Sequence, residues 1–310
     1  QVSVWNEKNE TKKEILPINL KDSPEIEKIF QSTDSSLQID WHPIFNGVES
    51  LWEKESYLKK ISELRACIKK GEFYQANLTC LFSRKQDKSL RKDFFELFSR
   101  NPTDYFYFLQ TPFWEILSSS PECFLFTDKG FVQAQPIKGT APYTKDKSSL
   151  YELLKSTKNA AELNMITDLM RNDLQKVSEI GSVKVLSSKG VIEMKNVFHL
   201  CSQIRGRLKR NMESTDLIRA AFPSGSITGC PKLKSVEWLK TNEINQRGVY
   251  TGAMGWLSQK ELHLNVAIRT FIHRNNRSYF QVGGGITWDS DPSEEWDEIL
   301  AKAKPFLEMD

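Results

Sequence analysis

The fold class is decided by the stretch Leu262-His-Leu-Asn-Val-Ala-Ile-Arg-Thr-Phe-Ile-His273, which is followed by Ser278-Tyr-Phe-Gln-Val-Gly283. Both runs are rich in branched and aromatic residues and predict strands, as does Gly248–Leu257. Further strands are predicted at Gln75–Ser83, Asp104–Leu109, Phe113–Ser118, Cys123–Thr127 and Ser182–Leu186. Strands clustered in this way, with helices between the clusters, favour an α+β fold with large antiparallel sheets over a doubly wound parallel sheet.

Apolar spacing and end signals predict four helices. The first covers Tyr57–Gly71 and stops at its glycine. The middle of the chain is helical from Leu150 through Gln175, Thr215–Phe222 forms a third helix, and the last helix begins at Pro292. Residues 1–50 are polar, contain three prolines, and are compatible with one strand and one short helix.

Composition excludes several classes of protein. The 310 residues are 39% hydrophobic and 27% charged, and 43 basic against 40 acidic residues give a net charge of only +3. This mild balance argues against nucleic acid as a partner, and no apolar run has the roughly 18 residues of a membrane span. The first residue is Gln1, and no signal peptide is visible. Five scattered cysteines without a C-x-x-C pair predict free thiols in the cytoplasm.

Three segments rich in glycine or proline are candidates for chemistry. In Pro136-Ile-Lys-Gly-Thr140 the lysine is either a solvated turn residue or a desolvated nucleophile. The loop Phe222-Pro-Ser-Gly-Ser-Ile-Thr-Gly-Cys-Pro-Lys232 offers backbone N–H groups to an anion at a helix start, although it lacks the P-loop spacing. Gly283-Gly-Gly-Ile286 lets the backbone approach a ligand closely.

Carboxylates form the second set of candidates. Glu162 shares a predicted helix face with Ile166 and Leu169, so it points toward apolar surface and needs a partner charge, a metal or a raised pKa. The closing helix carries Glu295 and Glu298 in its first turns, where the helix dipole alone can account for acids. Alternatively, two carboxylates from distant segments suit an Mg²⁺ ion that keeps most of its waters.

Several distinctive short segments follow one another between about residues 57 and 305. They are Gly71-Glu-Phe-Tyr-Gln-Ala-Asn-Leu78, Ser120-Pro-Glu122, Pro136-Ile-Lys-Gly-Thr140, Glu162-Leu-Asn-Met-Ile-Thr-Asp-Leu-Met-Arg-Asn-Asp-Leu174, His199-Leu-Cys-Ser202, Gly225-Ser-Ile-Thr-Gly-Cys-Pro-Lys232, Tyr250-Thr-Gly-Ala-Met-Gly255, Ala267-Ile-Arg-Thr270 and Gly283-Gly-Gly-Ile286 through Glu298. In combination they resemble the chorismate-utilising enzymes, which include anthranilate synthase component I, aminodeoxychorismate synthase component I and isochorismate synthase. The resemblance implies large antiparallel sheets packed as a sandwich core with helices outside, a chorismate-binding catalytic domain over 57–310 and a partial N-terminal segment over 1–56.

Two positions indicate the branch of the family. Isochorismate and salicylate synthases have a lysine, which activates water, where this chain has Gln75. Anthranilate synthases have alanine where this chain has Lys138, and that lysine is typical of aminodeoxychorismate synthase component I. The resemblance therefore implies a transferase of 4-aminobenzoate and folate biosynthesis that makes 4-amino-4-deoxychorismate from chorismate and ammonia.

The resemblance also implies a role for each site residue. Lys138 is the nucleophile that forms a covalent intermediate, and Glu122 is the general acid. Glu162 and Glu298 hold Mg²⁺, and Glu295, one helical turn from Glu298, could share the ion. The expected substrate-binding residues are Gly139, Thr140, His199, Tyr250, Arg269, Gly283, Gly284 and Gly285. Gln75 and Lys232 complete the expected site.

The implied partner is a glutamine amidotransferase subunit that supplies ammonia, because no cysteine in this chain has a glycine on both sides with one-residue spacers. Neither nucleic acid nor a membrane is expected as a partner. Two alternatives stay open: anthranilate synthase component I with an unusual lysine, and a catalytically silent subunit that binds the amidotransferase.

Overall fold

The computed structural model of the protein describes residues 2–5, 11–14, 40–45, 47–100, 102–258 and 261–307. In chain order the elements are β1 (Val2–Trp5), β2 (Thr11–Glu14), β3 (His42–Phe45), β4 (Val48–Ser50), α1 (Lys54–Lys69), β5 (Gln75–Lys85), α2 (Arg91–Arg100), β6 (Tyr105–Gln110), β7 (Glu115–Ser120), β8 (Cys123–Asp128), β9 (Phe131–Gln135), β10 (Ile137–Pro142), α3 (Ser148–Lys155), α4 (Thr157–Val177), β11 (Lys184–Glu193), β12 (Val197–Arg207), α5 (Ser214–Ala221), β13 (Gly229–Cys230), α6 (Lys232–Asn242), β14 (Ala253–Leu257), β15 (Leu262–Val266), β16 (Thr270–Arg274), β17 (Arg277–Ile286) and α7 (Pro292–Leu307). No helix in these ranges is long and apolar enough to cross a membrane.

Two large antiparallel sheets dominate the architecture, and the α+β prediction is confirmed. The eight-stranded sheet has the order β3-β4-β5-β17-β16-β7-β6, with β13 beside β5. The seven-stranded sheet has the order β10-β12-β9-β8-β15-β14, with β11 beside β12. Because β4 pairs with β5, residues 48–50 belong to the sheet that carries Gln75. The division at residue 57 stays a prediction.

Each sheet buries one face under helices. Side chains of α1 and α7 such as Tyr57, Ile61 and Ile299 form a core with the eight-stranded sheet. Helices α4 and α5 cover the seven-stranded sheet through residues such as Ile166 and Leu217. Truncating a fully buried Leu or Ile in such cores to Ala costs about 2–5 kcal/mol. The two helix-covered cores therefore fix the sheets that carry the candidate site.

The chain passes from one sheet to the other inside the stretch predicted as a single strand, Leu262–His273, and that prediction is wrong. Strand β15 pairs with β8 in the seven-stranded sheet, whereas β16 pairs with β7 and β17 in the eight-stranded sheet. Arg269, between them, has a left-handed φ of +49°. A bend of this kind lets a strand change sheets, and apolar periodicity does not reveal it because both halves are buried strands.

A second crossing lies beside the first. Glu122 sits between β7, in the eight-stranded sheet, and β8, in the seven-stranded sheet. The Val266 N–H donates to the Glu122 carbonyl at 3.1 Å, and the Ser119 N–H donates to the Arg269 carbonyl at 3.0 Å. The two crossings are thus hydrogen-bonded to each other, and Glu122 and Arg269 lie where the sheets meet.

Several other predictions differ in detail. The helix predicted from Leu150 to Gln175 is two helices, because Ser156 is extended and its hydroxyl caps α4 by accepting from the Asn159 N–H at 3.2 Å. The helix stop at Gly71 is confirmed by a φ of +80°, which favours glycine. The sequence signals missed α2, β9 and β12, and indicated only the start of α6. In residues 1–50, β1 to β4 are present, and the predicted short helix falls outside the described residues.

Candidate active site

Lys138 lies in strand β10, so the tight loop predicted at Pro136–Thr140 is in fact an edge strand with a bulge. The register between β10 and β12 shifts between Ile137 and Thr140, and Gly139 has a φ of +77°. A Cβ on Gly139 would lie 2.9 Å from atoms of Asn159 and Leu153. Only glycine fits both the backbone angle and this space, and the bulge sets the direction of the lysine beside it.

The Lys138 amine is enclosed by acids. Its Nζ donates to the Ser226 carbonyl at 3.0 Å. Burial lowers the pKa of Lys138, while the carboxylates of Glu162, Glu122 and Glu298 act in the opposite direction. The lysine therefore holds its proton less firmly than an exposed lysine, which is the condition for nucleophilic chemistry near neutral pH.

Glu122 is a buried acid at the sheet crossing, 3% exposed. Burial raises its pKa to about 7, against hydrogen bonds from the Ser226 side chain and the Ile137 backbone and the nearby charge of Lys138. A carboxyl group with this pKa carries a proton in a substantial fraction of molecules at neutral pH. That is the property of a general acid.

His199 links Thr140 and Arg269 in a hydrogen-bonded row. The Arg269 Nη2 atom donates to the His199 Nε2 atom at 3.4 Å, and the His199 Nδ1 atom lies 2.9 Å from the Thr140 hydroxyl. Because a guanidinium only donates, Nε2 is the acceptor and Nδ1 carries the proton. Burial and the charge of Arg269 lower the pKa of His199 to about 4, so this histidine is neutral near pH 7. Arg269 is therefore the cationic group in this hydrogen-bonded row.

Glu162 is half-buried and faces polar groups, so the prediction that it points toward apolar surface is wrong. The Gln75 Nε2 atom lies 3.4 Å from the Glu162 Oε2 atom. The negative charge of Glu162 raises the pKa of Lys138. The Lys302 amine lies 2.6 Å from the Glu298 Oε1 atom. Burial raises the pKa of Glu298, but Lys302, Lys158 and Lys138 together outweigh burial and the net shift is downward. Both carboxylates are therefore held close to cationic groups.

Glu295 differs from its neighbour on α7. Its side chain is buried and accepts a hydrogen bond of 2.7 Å from the Ser290 hydroxyl. Burial raises the pKa of Glu295, and the nearby charge of Glu298 adds to the effect. Within the ranges that the structure describes, no three His, Cys, Asp or Glu side chains cluster closely enough to enclose a metal ion.

The glycine triplet lies inside strand β17. The prediction that it forms a loop is wrong. Strand β17 pairs with β5 along the whole triplet. A Cβ on Gly285 would lie 2.2 Å from the Gln75 Nε2 atom and 3.6 Å from the Lys138 Nζ atom, and one on Gly284 would lie 2.9 Å from the Glu295 Oε2 atom. The absent side chains therefore leave room for Gln75, Lys138 and Glu295 to approach the strand.

Lys232 and Tyr250 make their contacts outside this group. The Lys232 amine binds the Asp173 carboxylate at 2.5 Å and the Ala221 carbonyl at 2.7 Å. Tyr250 is buried near the charges of Arg247 and Glu243 and lines a cleft of about 410 Å³. The segment before Lys232 contains a 3₁₀ turn, Gly225–Ile227, and the predicted helix start directly after the loop is confirmed by α6, which begins at Lys232.

Ser226 and Lys302, which contact the site, and Asp173, which binds Lys232, were not assigned from the sequence. Ser226 and Asp173 lie inside segments already quoted, but nothing in their spacing distinguishes them from their neighbours. Lys302 had a usable signal, because it follows Glu298 by four residues on a helix, the spacing of an ion pair.

The sequence profile of the chorismate binding enzyme family matches residues 6–308. The chain belongs to this family. It is 36% identical over 82% of its length to an anthranilate synthase component I-like protein of Synechocystis, covering 54% of that protein. It is 34% identical over 89% of its length to aminodeoxychorismate synthase component 1 of Escherichia coli K12, covering 60% of that protein. The crystal structure of anthranilate synthase component I from Streptococcus pneumoniae superposes with a TM-score of 0.81 at 28% identity, over 98% of this chain and 71% of that one.

The resemblance to chorismate-utilising enzymes is thus confirmed, and the family's fold with it. Relatives named for two different products match to a similar extent, so family membership does not distinguish the branches. The chain also spans little more than half the length of the curated relatives it matches.

Proposed function

We propose that this chain is an aminodeoxychorismate synthase component I, which converts chorismate and ammonia to 4-amino-4-deoxychorismate. The observation that carries the proposal is the placement of Lys138 among Glu122, Glu162 and Glu298, with its pKa lowered by burial. An amine in that setting is available as a nucleophile, whereas a lysine on a solvated turn is not.

The proposed reaction uses the proton of Glu122 and the amine of Lys138. Glu122 donates its proton to the C4 hydroxyl of chorismate, which leaves as water. The neutral Lys138 amine bonds to C2, and the ring double bonds shift as the C4–O bond breaks. Ammonia then bonds to C4, the double bonds shift back, and the C2–N bond to Lys138 breaks, which frees the neutral lysine. The C4 ammonium group so formed returns one proton to the Glu122 carboxylate and restores the acid. Arg269, held by neutral His199, is suited to bind a carboxylate of the substrate.

Mg²⁺ is the proposed cofactor, and the donor set is compatible with it. Glu162 and Glu298, both close enough to act on the charge of Lys138, offer hard oxygen ligands, and a site with only two carboxylates suits an ion that keeps several waters. Lys302, which neutralises Glu298, would have to release it. When bound, Mg²⁺ supplies positive charge to the ring carboxylate of chorismate as negative charge develops there.

Glu162→Gln is expected to weaken Mg²⁺ binding at least about 10-fold, because an amide lacks the charge that holds a hard cation. Isothermal titration of Mg²⁺ in the presence of chorismate measures this directly. Asp168→Asn is the matched control on the same helix, since Asp168 is exposed and pairs only with Arg171 among the described residues. Equal Mg²⁺ affinity in wild type and Glu162→Gln would contradict the metal assignment.

Ammonia is proposed to come from a separate glutamine amidotransferase subunit. Burial raises the pKa of Cys80 and Cys123 to about 12 and also raises that of Cys201 and Cys230. Thiols of this kind do not form the activated thiolate that glutamine hydrolysis requires. The protein incubated with chorismate and Mg²⁺ is therefore expected to use ammonium salts but not glutamine. Turnover with glutamine alone would contradict the proposal.

Anthranilate synthase component I is the second candidate, favoured by the relatives that carry this name. It differs in the ring position of the amine, which is C2 in the anthranilate route and C4 in the proposed one. Chromatography of the product from chorismate, ammonium and Mg²⁺ separates the two. Anthranilate as the sole product would overturn the proposed branch.

A further inference from the structure

Ser226 contacts both members of the proposed acid–nucleophile pair through different atoms. Its backbone carbonyl accepts from the Lys138 Nζ atom at 3.0 Å. Its hydroxyl is hydrogen-bonded to the Glu122 carboxyl group. The side chain is only 4% exposed, so water competes little for either contact. One residue therefore connects the acid at the sheet crossing with the amine on β10.

The turn that carries Ser226 is held from both ends. Lys232, after the turn, binds Asp173 of α4 and the Ala221 carbonyl before the turn. Inside the segment, the Thr228 hydroxyl donates to the Ser224 carbonyl at 2.9 Å. A Cβ on Gly225 would lie 2.3 Å from Leu169, so the turn lies directly against α4. Ser226 is thus placed by an ion pair and by packing.

We propose that Ser226 is a positioning residue with two separate tasks: its hydroxyl orients the Glu122 carboxyl group, and its carbonyl orients the Lys138 amine. The reaction context rests on the proposed function, but the two contacts do not. A neutral Lys138 amine that donates to the carbonyl directs its lone pair away from Ser226. The hydroxyl holds the Glu122 carboxyl group in one orientation beside that amine.

The neighbouring hydroxyl of Ser224 allows this contact to persist in both protonation states. The Ser224 and Ser226 hydroxyl oxygens lie 3.0 Å apart, and either can donate to the other. When Glu122 is ionised, Ser226 donates to it and accepts from Ser224. When Glu122 is protonated, it can donate to Ser226, which then donates to Ser224. Both hydroxyl protons can reverse without movement of heavy atoms.

Titration of the Glu122 carboxyl group provides the test. The titratable groups that face it are the Lys138 amine on β10 and the Cys123 thiol at the start of β8. In the protein without substrate, infrared difference spectra against Glu122→Gln isolate the band of the protonated Glu122 carboxyl group. A second measurement, the rate at which an amine-reactive reagent labels Lys138, is read by peptide mass spectrometry.

Ser226→Ala removes the hydroxyl and keeps the carbonyl. It is expected to raise the Glu122 midpoint by about one pH unit, because the donor that ionised Glu122 loses is worth more than the acceptor that protonated Glu122 loses. Lys138 labelling is expected to stay unchanged at a pH well above both midpoints, where Glu122 is ionised in both proteins. Ser226→Thr, which keeps a hydroxyl, is expected to restore the wild-type midpoint. Ser278→Ala is the control for loss of a buried hydroxyl elsewhere, since Ser278 lies on β17 against His273.

An unchanged midpoint in Ser226→Ala, or an equal shift in Ser278→Ala, would overturn the role of the hydroxyl. A labelling rate of Lys138 that changes by as large a factor as the acid dissociation constant of Glu122 would overturn the separation of the two tasks. If Ser226→Ala does not fold, Ser224→Ala is expected to raise the midpoint by a smaller amount, and no rise would count against the proposal. Neither measurement uses chorismate, so a failure of the proposed reaction leaves these outcomes distinct.

Discussion

Lys138→Ala is expected to lower the rate of 4-amino-4-deoxychorismate formation by at least about 10³-fold, because the covalent route through C2 is lost. Chorismate binding is expected to survive, since Arg269 is held by its hydrogen bond to His199, which the substitution leaves in place. Residual activity is expected to place the amine at C2. Product chromatography measures both the loss and the shift, and titration calorimetry measures the retained binding.

The covalent step has its own signature. Intact-protein mass spectrometry of the wild type with chorismate is expected to show an adduct on Lys138 that is absent from Lys138→Ala. Lys147→Ala is the matched control, because Lys147 is half-exposed and pairs with Glu193 at 3.5 Å. Near wild-type formation of 4-amino-4-deoxychorismate by Lys138→Ala would show that the branch assignment is wrong.

The fold class and most strands could be predicted from sequence because branched and aromatic runs persist along each strand. The two positions at which the chain crosses between the sheets could not be predicted. Leu262–His273 is apolar on both sides of Arg269, and a local pattern carries no information about which neighbours each half will pair with. The glycine triplet was predicted as a loop for a related reason: its close approach to Gln75 and Lys138 is imposed by the partner strand, not by its own sequence.

Some features of the candidate site could likewise be predicted from the sequence, and others could not. Lys138 and Glu162 are candidates from their local sequence, whereas Glu122 and the roles of all three follow from a resemblance that preserves side-chain identity. The contact of Ser226 with Lys138 uses a main-chain carbonyl, which any residue possesses, so sequence gives no signal for it. The neutral state of His199 is likewise invisible in sequence, because it arises from burial and from Arg269, seventy positions away. Electrostatic properties depend on the completed fold.

Glu122, the proposed general acid, lies where the two sheets meet, and this has an energetic consequence. Glu122 is buried by strands of both sheets, so its raised pKa depends on their mutual position. A residue on one exposed loop would be solvated and would return to its ordinary pKa. The fold thus creates a buried acid at some cost in stability, as active sites commonly do.

Glu122→Gln is expected to reduce turnover by about 10²–10⁴-fold, because the amide keeps the shape of the protonated carboxyl group but cannot release its proton. In the wild type, the protonated form of Glu122 decreases as pH rises through its pKa of about 7, so activity that depends on this proton falls on the alkaline side. That alkaline decline is expected to be absent from the pH dependence of the residual activity of the variant. Glu115→Gln, a buried acid that caps α2 by accepting from the Leu90 N–H at 2.7 Å, controls for a general structural effect.

The same substitution is expected to increase stability at alkaline pH. The folded-state pKa of Glu122 is raised from an ordinary 4.5 to about 7, so between these values the folded protein holds a proton that the unfolded chain has released. Unfolding then releases a proton, and the wild type loses stability as pH rises through this window, by about 3 kcal/mol in total. Glu122→Gln has no carboxyl group to ionise and escapes this loss. Urea unfolding at about pH 4 and about pH 8 should therefore show its stability, relative to wild type, growing with pH. A difference that stays constant between the two pH values would mean that Glu122 titrates normally and is not the buried acid that the mechanism requires.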